Sequence, residues 1–73
     1  MKENRFISDR EKEVLYLISQ EFSAKEIAQE LFISFHTANS HRKNIMQKLN
    51  AKNTAGMIRM GFEKGILTLS QNS

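Results

Sequence analysis

Apolar residues recur along this chain at helical spacing in four blocks, and the polar residues between the blocks are types that start and stop helices. Val14, Leu15, Leu17 and Ile18 form the first apolar stripe. Ser8 and Glu11 precede it as the S-x-x-E of a capping box, in which a hydroxyl and a carboxylate satisfy backbone donors reciprocally. Phe6 and Ile7 lie just before that cap, and Ile7 can staple against the first turn at the stem of Lys12. Ser23 and Glu26 repeat the box ahead of Ile27, Ala28 and Leu31. Ser34 can cap a third helix with Ala38, Ile45 and Leu49 on its apolar side, and Asn53 or Thr54 a fourth that holds Met57, Ile58, Met60 and Phe62. The predicted helices span about residues 9–20, 24–32, 35–49 and 54–64. Asn50 is placed where a left-handed residue follows the third helix, and Gly65 stops the fourth. The tail is polar after Leu69 and expected to fray. The pattern predicts an all-α fold, a four-helix bundle in a single domain over residues 1–73.

The second and third helices are joined too tightly to lie in line, and an angled pair of this kind is a helix-turn-helix. At ~100° per residue, Ala38, Ile45 and Leu49 share a narrow stripe of the third helix, with His41 and Arg42 at its edges. Ser40, Lys43 and Gln47 point the other way, flanked by Asn39 and Asn44. A helix divided in this manner can bury one side and lay the other in a major groove, where Asn, Ser and Lys reach base edges. The same polar face also serves plain solvation, so the face alone does not assign a function.

Composition narrows the classes. At 73 residues with 40% hydrophobic content, one modest core is possible, and wholesale disorder is not expected. The absence of cysteine removes disulfides, thiolate metal sites and thiol nucleophiles, and fits a cytoplasmic location. No long apolar run suggests a signal peptide or a membrane span. The net charge of +3 is unevenly spread. Residues 1–32 carry five basic and seven acidic side chains, whereas residues 33–73 carry six basic and one acidic. A basic second half is the asymmetry expected when that half meets phosphates.

The runs REKEVL (10–15), SAKEIAQELFIS (23–34) and T-A-x-S-H-x-x-N-I-x-x-K-L (37–49) resemble, at matching spacing, the LuxR-type DNA-binding domain of bacterial transcription regulators. The resemblance extends without gaps from Ile7 to Leu67. It implies a four-helix LuxR-type helix-turn-helix whose third helix recognises a double-stranded DNA operator. Carried over by position, it implies base contacts at Asn39, Ser40 and Lys43. It further implies phosphate contacts at Lys25, Ser34, Thr37, Arg42, Lys48, Lys52 and Asn53. The fourth helix commonly supplies a homodimer contact in such domains, here through Met57, Met60 or Gly61, whichever the core leaves exposed. RNA polymerase is a further partner that the resemblance allows. Such domains usually end a longer chain behind a phosphoacceptor receiver, as in response regulators, or behind a ligand-binding domain; free-standing members also exist. The chain departs from the family pattern at Asp9, where proline is usual, and at Glu21 and Asn50, where glycine is usual. It also has Ala38 for valine and Asn39 for a common lysine, so an operator cannot be borrowed from relatives.

Other residues carry less. His36 and His41 are five apart, off the i, i+4 spacing of two ligands on one helix face, and no acidic cluster joins them. No metal site or cofactor is expected. His41 is placed at the core edge or against a phosphate, and Phe35 against the second helix or as a wedge near DNA. Glu11 and Glu13 read as helix and ion-pair residues, so no enzyme is expected. A sigma-factor promoter-recognition domain and a helical protein-interaction module are the alternative classes. The fourth helix, TAGMIRMGFEKGIL, argues against the first and the basic residues at 42, 43, 48 and 52 against the second.

Overall fold

The computed structural model describes residues 7–68; Phe6 and the tail from Leu69 onward lie outside the described residues. Among the described residues four helices follow one another, α1 (Asp9–Ser19), α2 (Ala24–Leu31), α3 (Phe35–Lys48) and α4 (Thr54–Glu63). Both expected capping boxes form: the Ser8 and Ser23 hydroxyls accept from the N–H groups of Glu11 and Glu26, whose carboxylates accept from the cap residues' own N–H groups. Ser34 caps α3, and Asn53 rather than Thr54 caps α4, accepting from the Gly56 N–H at 2.8 Å.

All four helices end in one device. The residue after the last turn turns left-handed, at Glu21, Phe32, Asn50 and Gly65 with φ of 70°, 57°, 54° and 78°. The next N–H then reaches back to an otherwise orphaned carbonyl: Phe22 to Leu17, Ile33 to Ala28, Ala51 to Met46 and Ile66 to Gly61. Only Gly65 is free of the Cβ penalty in this conformation. Phe32, predicted as the last helical residue of α2, is instead its left-handed stop, with 93% of the residue exposed.

α3 packs against α1 and α2, and α4 closes the bundle against α1 and α3. The core contains Val14, Leu15, Leu17 and Ile18 of α1, Ile27 and Ala28 of α2, Ala38, Ile45 and Leu49 from α3 and its stop, and Met57 of α4. Leu67 folds back onto it beyond α4. Gly61 is where α4 comes closest to its neighbours: a Cβ there would lie 2.9 Å from Leu67 Cδ1 and 3.0 Å from Leu15 Cδ2. This packing consumes two of the three residues offered for dimer contact, because Met57 and Gly61 are buried in the core and only Met60 keeps partial exposure.

Candidate nucleic-acid interface

Burying Ala38 and Ile45 sets the rotation of α3 and turns its polar side outward. Lys43, Asn44 and Gln47 are exposed there, and Asn39 and Ser40 are half-buried beside them. Of the three residues expected to read bases, Lys43 is exposed, and Asn39 and Ser40 are half-buried on the side of α3 away from Ile45. His36 is exposed in the first turn of α3 and Lys43 in the third.

The expected phosphate-contacting residues separate into groups. Ser34 and Thr37 are bonded to one another at the start of α3: the Ser34 hydroxyl donates to Thr37 Oγ1 and accepts from the Thr37 N–H, each at 2.9 Å. Lys25 is exposed in the first turn of α2, and Lys52 and Asn53 are exposed just before α4. Arg42 lies between those two helix starts. Its guanidinium donates to Thr54 Oγ1 at 2.9 Å, and with Ser23, Ala24 and Thr54 it lines an open cavity of about 400 Å³ that Glu21 also borders. Both helix starts are capped, by Ser23 and Asn53, and Arg42 is the one basic residue lining the cavity, opposite in charge to Glu21. Thr54 as the anchor of Arg42 leaves no signal in the sequence, because the two belong to different helices.

Lys48, also expected at a phosphate, has a partner inside the fold. Its ammonium donates to Glu11 Oε1 at 2.8 Å, across 37 positions of sequence, and so ties the end of α3 to the start of α1. The same carboxylate oxygen accepts the Ser8 N–H at 2.9 Å. Burial of Glu11 raises its pKa, but the bonds from Lys48 and Ser8 and the lysine charge outweigh burial and hold the carboxyl below its ordinary value. Lys48 thus has a structural partner, and its side chain keeps 35% exposure. Phe35 also departs from the reading that packs it on α2, since 57% of the residue is exposed. His41 is half-buried on α3. Among the described residues no three His, Asp or Glu side chains gather, and no helix is long and apolar enough to cross a membrane.

Residues 5–61 match the family of bacterial regulatory proteins known as the luxR family, whose model is called GerE. The chain is 41% identical over 63 residues to the oxygen regulatory protein NreC of Staphylococcus carnosus, covering 86% of this chain and 29% of that protein. It is 44% identical over 62 residues to the transcriptional regulatory protein MctR of Rhizobium johnstonii, covering 85% and 29%. The chain thus spans under a third of the length of these relatives. Among solved structures, the response regulator ChrA of a heme-sensing two-component system superposes with a TM-score of 0.84 at 30% identity, over 90% of this chain and 33% of that one. The transcription factor GerE superposes with a TM-score of 0.82 at 29% identity, over 93% of this chain and all of that one. The family model matches most of the chain and the fold superposes on GerE over its full length, so the chain belongs to the LuxR family of bacterial regulatory proteins, as a helix-turn-helix domain of their DNA-binding type.

Proposed function

We propose that this domain binds double-stranded DNA sequence-specifically and regulates bacterial transcription by placing α3 in the major groove of an operator. The observation that carries this reading is the outward face of α3, where Lys43 is exposed and Asn39 and Ser40 are half-buried beside it, on a helix whose other side is core. Asn and Lys donors match purine acceptors in that groove, and they are the assigned base contacts. Lys25, Ser34, Thr37, Arg42, Lys52 and Asn53 take the phosphates on either side and fix the register. Lys48 belongs to the same set, its ammonium shared with Glu11.

Two copies act together on paired half-sites, and the geometry of α4 supports a pairing surface there. With Met57 and Gly61 turned inward, the opposite side of α4 presents Ala55, Arg59 and Phe62 to solvent, with Met60 at its flank. A bound dimer then acts on transcription by recruiting or obstructing RNA polymerase.

Titrating the pure domain against duplex DNA at rising salt tests the reading. Specific binding should persist at near-physiological salt on a subset of sequences, with log affinity falling linearly against log salt. Binding that is equal on all sequences and vanishes as salt rises would overturn it.

A further inference from the structure

The outward face of α3 continues one turn beyond the residues already assigned to it. His36 is exposed in the first turn of α3, two residues past the Ser34 cap. At ~100° per residue it falls diametrically opposite Ile45, which is 0% exposed at the centre of the core. On the same geometry it lies within about 40° of Ser40 and about 20° of Lys43 around the helix axis. His36, Ser40, Lys43 and Gln47 are therefore a single stripe, and three of its four members are exposed.

Two observations and one general property of recognition helices separate His36 from a residue that merely faces water. The C-terminal end of α3 is tied to the bundle through the Lys48–Glu11 ion pair and the buried Leu49, whereas its first turn leaves His36 exposed. Recognition helices of helix-turn-helix proteins present base contacts from that end. The imidazole also makes no hydrogen bond or ion pair among the described residues, while the neighbouring Ser34 and Thr37 side chains are bonded to each other.

Resting on the proposal that α3 enters the major groove, we infer that His36 is a further specificity-determining residue, its ring N–H reading a purine at the edge of each half-site. His36 sits about 6 Å along the helix axis from Ser40, a distance of roughly two base-pair steps. The pair it meets is thus distinct from those read by Ser40 and Lys43 and lies on the flank of them. A ring N–H donor fits the N7 acceptor of either purine, and guanine adds O6 beside it, so guanine is the preferred base.

Selection of bound sequences from a random duplex pool, run in parallel with wild type, His36→Ala and Lys43→Ala, tests the inference. His36→Ala should lose preference at one position on the flank of the motif, by about 3- to 10-fold, the value of a single hydrogen bond. Lys43→Ala should lose a different position. An exposed side chain in the first turn leaves folding intact, and an unchanged helical circular dichroism spectrum checks this. If His36→Ala enriches the same motif as wild type, His36 reads nothing and the inference is overturned while DNA recognition by α3 stands. Equal weakening at every position would also overturn it, because that is the behaviour of a phosphate contact. A wild-type domain that enriches no motif would overturn both this inference and the proposed function.

Discussion

Glu11 accepts the Ser8 N–H to start α1 and the Lys48 ammonium to hold the end of α3, so one carboxylate joins a local cap to a tertiary contact. Removing its charge as Glu11→Gln should cost ~1–2 kcal/mol at pH 7, read by urea unfolding, since bonds to charged groups exceed neutral ones. The pH dependence follows from the lowered pKa of Glu11. Between its folded value and the ordinary unfolded value the unfolded chain binds more protons, so stability falls as the solution is acidified through that window. The contribution is complete above the unfolded value and gone below the folded one. The gap between wild type and Glu11→Gln should therefore narrow as pH falls below 4.5, the ordinary value for this group; a gap independent of pH would show that the charge contributes nothing. Phe32 makes the opposite kind of case. It takes a left-handed φ of 57° while leaving 93% of the residue in solvent, so strain is not offset by packing. Phe32→Gly should raise stability by roughly 0.5–1 kcal/mol in thermal melts.

At the scale of elements, helix starts were legible because their chemistry is local. Ser8 with Glu11 and Ser23 with Glu26 sit three residues apart, the reach of the bonds they make. The stops were partly legible. Asn50 tolerates the left-handed region and Gly65 favours it, whereas nothing in a phenylalanine at position 32 signals a stop. The division of α3 followed from periodicity, and Ala38 and Ile45 are buried as that division requires. What each cation does was less legible, since the Lys48–Glu11 pair spans 37 positions and Arg42 meets Thr54 only once α4 has docked. Lys43 and Lys52, both exposed, separate the two proposed roles. Lys43→Ala should lower discrimination between operator and random DNA by about 1–3 kcal/mol, while Lys52→Ala should weaken both alike and reduce the salt slope by about 1. Identical behaviour of the two variants in fluorescence anisotropy would refute the assignment. For α4, Phe62 is 39% exposed and faces away from Met57. Phe62→Glu should leave half-site binding unchanged and abolish cooperative binding to paired half-sites, seen as loss of the slower band in gel mobility shifts.

The molecule as a whole has two differently charged parts, an acidic one through residue 32 and a basic one beyond it. That asymmetry was visible in the sequence, but its placement was not, because the basic residues divide between an outward helix face, a cavity between helix starts and an internal ion pair. Gly61 shows the same limit. Its need for a missing side chain comes from Leu15 and Leu67, which only the closed bundle brings together. Orientation on DNA is the central claim, and backbone amide NMR of the labelled domain titrated with a selected duplex tests it most directly. The largest shifts are expected along the outer face of α3 from His36 to Gln47 and at the first turns of α2 and α4. Shifts concentrated on α1, with the α3 amides unmoved, would contradict recognition by the third helix.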